Sequence, residues 1–218
     1  MAGSKVKTKV CDLKYVFITG EGKNQAMPGE PERMQYVASA VMLKDGEAHK
    51  YLLEQINAEW EKYKTQYGVK GKPKTNGIKD EYQKDPSGEI DPETEEVRRI
   101  PTGNVIATFK TNTKWPDGNA QVVKVKDRKG KDITAAIQAA DWAIGEGSKG
   151  IIHGIAMGNN VGGTHKVTLY LAAVQLAKLV KYEGNDVECD EIEGEDIDIG
   201  DEVGAIDSTD TTENTPDL

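Results

Sequence analysis

The stretch Asn104-Val105-Ile106-Ala107-Thr108-Phe109-Lys110-Thr111-Asn112-Thr113-Lys114-Trp115 runs into Pro116-Asp117-Gly118-Asn119 and leaves through Ala120-Gln121-Val122-Val123-Lys124-Val125-Lys126-Asp127-Arg128-Lys129-Gly130-Lys131. Two runs rich in Val, Ile and Thr flank a turn in which proline fixes φ and glycine takes the left-handed corner. The spacing predicts a β-hairpin. Side chains alternate across a strand, so Thr108, Lys110, Asn112 and Lys114 share one face and Val105, Ala107, Phe109 and Thr111 the other. On the return run Lys124, Lys126 and Arg128 fall together. If the two cationic faces coincide, a basic ribbon stands on an apolar base with Trp115 at its tip, a shape suited to a phosphate backbone.

Working outward, Lys5 to Ile18 reads as a first strand, with Lys5, Lys7 and Lys9 alternating with Val6, Thr8 and Val10. Residues 20–31 are rich in Gly, Pro and Glu and read as a loop, and Gln35 to Leu43 reads as a second strand. From Glu47 to Tyr67, Leu52, Ile56, Trp60, Tyr63 and Tyr67 recur at helical spacing, which predicts an amphipathic helix packed on a sheet. Asp45 is placed to cap its start and Gly68 its end, with His49 solvated on the first turn. Residues 69–101 lack periodicity and read as a long flexible insertion, basic in its first half and acidic in its second. Beyond the hairpin come a short helical or irregular segment (133–143), a strand (151–157), a glycine-rich turn and a last long strand (166–181). Five strands with one inserted helix fit a small barrel, most economically an OB-fold.

The formal net charge of −9 hides an asymmetry. Residues 183–218 hold fifteen acids and no Lys or Arg, leaving 22 acids against 28 bases in residues 1–182, about +6. A basic body, expected as one domain over 1–182, is followed by an acidic tail over 183–218 whose composition predicts disorder. Cys11 and Cys189 imply no disulfide framework. The lysine-rich start lacks the apolar core of a secretory signal, and no eighteen-residue apolar run offers a membrane span, so a cytoplasmic protein is expected.

Gly147-Ser148-Lys149, an apolar strand, and then Val161-Gly162-Gly163-Thr164-His165-Lys166-Val167-Thr168-Leu169-Tyr170-Leu171-Ala172-Ala173-Val174-Gln175-Leu176 resemble the closing strands of the OB-fold single-stranded DNA-binding proteins of tailed bacteriophages. Phe109-Lys110 looks like that family's central strand, and the inserted helix and acidic tail occur in the same order. The resemblance covers most of residues 5–200. It implies a non-enzymatic coat for single-stranded DNA in phage replication and recombination. The tail would compete with DNA for the basic groove and contact polymerase and helicase-primase. Better-known members end in an aromatic residue, whereas this chain ends Thr215-Pro216-Asp217-Leu218, so Leu218 and Asp217 stand where docking is expected.

Single-strand binding without sequence choice needs a cationic track and π-faces for bases. The track is read as Lys110, Lys114, Lys124, Lys126, Arg128 and Lys129, with Lys5, Lys7 and Lys9 alongside and Arg98 and Arg99 ahead of the hairpin. Candidate stacking side chains are Phe109, Trp115, Tyr15, Phe17 and Tyr82, although Phe109 lies opposite Lys110 by parity, toward a core. Tyr36 and Tyr170 fit either core or groove. Catalysis finds little footing. Gly145 to Gly150 lacks phosphate-loop spacing and precedes a strand, the three histidines pair with no cysteine or carboxylate at ligand spacing, and no cofactor is implied. A strand-annealing mediator, which would add multimerisation such as a homodimer, and a β-domain that binds an acidic protein are the competing readings.

Overall fold

The computed structural model describes residues 3–182, so the expectations for the tail, Leu218 and Asp217 among them, lie outside the described residues. In chain order the elements are β1 (Ser4–Lys7), β2 (Cys11–Phe17), β3 (Lys23–Asn24), β4 (Met34–Leu43), α1 (Glu47–Tyr67), β5 (Ile78–Lys84), β6 (Arg99–Asn112), β7 (Lys124–Lys126), α2 (Thr134–Gln138), β8 (Ala143–Ile144), β9 (Lys149–Val161), β10 (Thr164–Lys178) and β11 (Lys181–Tyr182). β2, β4 and β6 form an antiparallel meander, with Leu13 opposite Ala40 and Ala38 opposite Phe109. β9 pairs with β2 on one side and with β10 on the other, and β10 meets β6 at Tyr170 and Lys110. The circle closes as a five-stranded barrel with one inserted helix, the OB-fold expected from strand count and helix position.

Alternation fills the barrel. Leu13, Ala38, Ala40, Ala107, Phe109, Ile152, Ala156, Leu169 and Val174 are each at most 2% exposed. Burying a ring the size of Phe109 contributes about 1.5–3 kcal/mol. Its space exists because β9 carries glycine opposite it: a Cβ on Gly154 would lie 2.6 Å from the Phe109 ring and 2.4 Å from the Tyr170 carbonyl oxygen.

α1 begins and ends where the periodicity places it. Leu52, Ile56, Trp60 and Tyr63 are buried, packed toward β1, β4 and β9. Gly68 takes the left-handed C-cap (φ 65) and its N–H reaches the Lys64 carbonyl. The N-cap is Gly46 rather than Asp45. Asp45 instead adopts φ 60, and its backbone N–H donates to His49 Nδ1 at 3.0 Å. That bond folds His49 inward to 8% exposure, so the histidine is buried rather than solvated.

Three sequence expectations give way to sheet topology. The first strand breaks between Lys7 and Cys11, where Thr8 turns inward and its hydroxyl accepts the Ile152 N–H at 3.0 Å. The stretch read as a loop over 69–101 contains β5, which pairs antiparallel with β6 from Lys84–Arg99 to Ile78–Ala107. The third change concerns the hairpin that opened the sequence reading. Its turn forms: the Gly118 N–H donates to the Trp115 carbonyl at 2.9 Å, and Gln121 N–H to Thr113 at 2.8 Å. Beyond Gln121 the return run departs. β7 pairs parallel to β10, Val125 opposite Val174, and not with β6. The reason is occupancy: β6 already has β4 on one edge and β5 followed by β10 on the other, leaving no free ladder.

Candidate nucleic-acid interface

The outward faces of β2, β4 and β6 carry the site. Reading across, Phe17 pairs with Val37 and Val37 with Lys110, while Lys14 pairs with Ser39 and Ser39 with Thr108. A plain strand would send Tyr15 and Phe17 the same way as Leu13, into the barrel. They point out because β2 bulges: Tyr15 adopts φ 52, the register slips between Lys14 and Phe17, and Val16 and Ile18 take the inward positions. Bulges re-aim side chains in this way. A bulky residue held in the left-handed region costs roughly 1–2 kcal/mol, so an exposed tyrosine kept there marks the position as a functional candidate. Tyr15 is 61% and Phe17 37% exposed, and the Lys23 ammonium sits 4.7 Å from the Phe17 ring centre.

Lys110 is where two grooves meet. On one side a shallow groove is lined by Tyr15, Phe17, Lys23, Gln25, Ser39 and Thr108. On the other, a groove of about 650 Å³ runs between residues 73–79 and the start of β10, with Lys74, Lys79 and Lys166 on its walls. That second wall is stitched into the sheet. Lys74 N–H donates to the His165 carbonyl, Val167 N–H to Thr75, and Thr108 N–H to Gly77, at 2.9–3.1 Å. Gly77 (φ 81) is needed there, since a Cβ would meet the Leu169 side chain at 2.8 Å.

Electrostatically the junction is unsatisfied. Burial, then the charges of Arg33, Lys79 and Lys23, push the Lys110 ammonium below its ordinary pKa. Its side chain donates to the neutral Gln25 amide oxygen. Among the described residues, Lys23, Arg33, Lys79 and Lys110 form no ion pair with a carboxylate. Four cations with no counter-charge beside two outward aromatic rings form a receptor for an anion that also carries flat apolar faces.

The remaining sequence candidates scatter. Phe109 is fully buried and cannot stack on a ligand; the parity opposite Lys110 sends it to the core. Trp115, 53% exposed, lines a separate groove of about 700 Å³ with Lys124, Lys126 and Tyr170. The single ribbon expected from the hairpin is therefore divided between that groove and the Lys110 junction. Lys114 borders a further hollow near Gly20 and Tyr36. Tyr36 is buried, whereas Tyr170 points outward beside Lys110. Arg128 and Lys129 stand exposed on the turn after β7. Lys5 and Lys7 lie on β1 opposite Ile155 and His153, and Lys9 is paired with Glu47 beside α1. Arg98 and Arg99 pair with Glu89 and Glu96, which spends their charge locally. Tyr82 is 56% exposed on β5. Sequence reasoning missed Lys23, Arg33, Lys79 and Lys166; the basic first half of the insertion was the one available signal, for Lys74 and Lys79.

No protein-family model matches the chain, and no curated protein matches it by sequence. Solved structures do match. Gp2.5, a single-stranded DNA binding protein encoded by bacteriophage T7, aligns with a TM-score of 0.52 at 16% identity over 85% of this chain and 92% of its own. The single-stranded DNA-binding protein from bacteriophage Enc34 in complex with ssDNA aligns at 0.53 and 16% identity, over 83% of this chain and 89% of its own. The C-terminal truncation of that Enc34 protein gives 0.53 and 15%, over 82% and 87%. The chain has the fold of these phage proteins. At such identities the likeness is one of architecture, and the barrel with its inserted helix is what they share. Among the described residues no three His, Cys, Asp or Glu side chains stand together to hold a metal, and no helix is long and apolar enough to cross a membrane.

Proposed function

We propose that the protein binds single-stranded DNA without sequence choice and without catalysis, along the groove that crosses Lys110. The observation that carries this reading is the set of four uncompensated cations, Lys23, Arg33, Lys79 and Lys110, beside the outward rings of Tyr15 and Phe17. Phosphates relieve the mutual repulsion of the cations, and each base stacked on a ring contributes roughly 1–3 kcal/mol. The fold shared with single-stranded DNA-binding proteins of bacteriophages T7 and Enc34 supports the same reading and favours a role in phage replication or recombination. The fifteen carboxylates of residues 183–218 act as a tethered competitor for the groove and as the contact for replication proteins. Because they are joined to the body covalently, their effective concentration is on the order of millimolar.

The test is a salt series on fluorescent oligo-dT. For single strands log K falls with a slope near −0.7 per phosphate neutralised. Changing Lys79 and Lys110 together to alanine is expected to flatten that slope by about 1.4 and to weaken binding at low salt. An unchanged slope in a folded variant sinks the proposal. A slope near zero in the parent protein favours a protein partner instead.

A further inference from the structure

The outward face of β2, β4 and β6 is not cationic throughout. Toward the Asp12 end of β2 the lysines of β2 itself, of the start of β9 and of the residue after β4 are matched. Lys14 lies 3.0 Å from Glu81 and 3.1 Å from Glu146, Lys149 lies 3.0 Å from Asp12, and Lys44 lies 2.8 Å from Asp80. Glu81 is the built part of this arrangement. The β5–β6 ladder breaks between Asp80 and Tyr82, and Gly103 (φ 81) takes the corner on β6. The break brings Thr102 and Asn104 around the carboxylate. One oxygen accepts from Lys14, and the other accepts from the Thr102 hydroxyl at 2.8 Å and the Asn104 amide at 3.1 Å. Glu81 is 8% exposed. Burial alone raises a carboxyl pKa, but the hydrogen bonds from Lys14, Thr102 and Asn104 outweigh it and hold this one below the usual range. With Glu146 also on Lys14, this end of the face carries a net negative charge at the point where it joins the groove.

We infer that Glu81, with Glu146, is an electrostatic stop that ends the polynucleotide track at the Ser39–Thr108 row, so that a bound strand turns at Lys110 into the groove beside Gly77 and Lys166 and does not continue over Lys14. This rests on the proposed single-strand binding and adds its route. The geometry gives Lys14 the look of a continuation of the track, since it shares a row with Ser39 and Thr108. Its charge, however, is already answered twice. A phosphate arriving there meets two carboxylates for one ammonium. Across β6 from Lys14, Lys74, Lys79 and Lys166 border the groove and are matched by no carboxylate among the described residues, so the seam between β6 and β10 is the open direction.

The experiment compares salt slopes on long oligo-dT for the full chain and three variants, with thermal melting as the folding control. Glu81→Gln/Glu146→Gln releases Lys14, so the slope should steepen by about 0.7 and low-salt affinity should rise several-fold. Adding Lys14→Met to that pair should return the slope to the parent value and bring low-salt affinity back between that of the double variant and the parent. If the double variant does not fold, Glu146→Gln alone, on a side chain 76% exposed, is expected to tighten low-salt binding. The inference is overturned if the carboxamide variant that folds binds no tighter than the parent. It is also overturned if the triple variant falls below the parent, because Lys14 would then grip the strand itself. Failure of the single-strand reading looks different: the parent shows no salt-dependent binding, or removing Lys79 and Lys110 changes nothing.

Discussion

Tyr15 holds its backbone where a tyrosine does not rest, at φ 52. The bulge costs roughly 1–2 kcal/mol and leaves Tyr15 itself 61% exposed. A substitution can separate the two roles. Tyr15→Gly removes the strain, offset in part by the larger unfolded-state entropy of glycine, about 0.5–1 kcal/mol. Its melting temperature should therefore match or exceed that of the parent. Oligo-dT affinity should fall by the contribution of one stacked base, about 1–3 kcal/mol or roughly 5- to 150-fold. Lower stability together with unchanged affinity in calorimetry and titration would show that the bulge serves the barrel rather than the ligand. Alternation places Tyr15 and Phe17 on one face, and both line the outward groove. What alternation could not tell is which face, because a bulge inverts parity without leaving a Gly or Pro to announce it.

At the level of elements, helix and strands were legible wherever periodicity was local. α1 spans Glu47–Tyr67 as its apolar stripe indicates, and the strand centres follow Val, Ile and Thr. The failures share a physical origin in non-local pairing. Nothing within Val122 to Lys126 says that both edges of β6 are taken, so the run reads as a hairpin return when it is a parallel partner of β10. β5, Ile-Lys-Asp-Glu-Tyr-Gln-Lys, has little apolar content and is a strand because β6 extends far enough beyond the barrel to template it. For the same reason the cation cluster stayed invisible: Lys23, Arg33, Lys79 and Lys110 come from four separate segments and meet only when the sheet curls. One tight internal fit lies where β9 meets β6 and β10. Gly154→Ala drives a methyl into the Phe109 ring and the Tyr170 carbonyl. Overpacking of this kind costs about 1–3 kcal/mol, which should lower the melting temperature by roughly 3–10 °C.

For the molecule as a whole, the sign of the net charge misleads about the partner. The body over residues 1–182 is about +6 and residues 183–218 carry fifteen acids, so the proposed function makes binding a contest between a tethered polyanion and a free one. Removing residues 183–218 should tighten oligo-dT binding, most at low ionic strength, with the two proteins converging as salt screens both competitors. Equal affinities in a low-salt titration would remove the contest. The barrel also has an order of assembly written into it. β10 is the strand that touches β9, β6 and β7, and it arrives after all of them. Until β10 is in place, β6 lacks its partner at Lys110 and β9 lacks its long antiparallel neighbour, so the barrel is open. A chain ending before β10 is therefore expected to be digested by protease where the full chain resists, which limited proteolysis of the two would check.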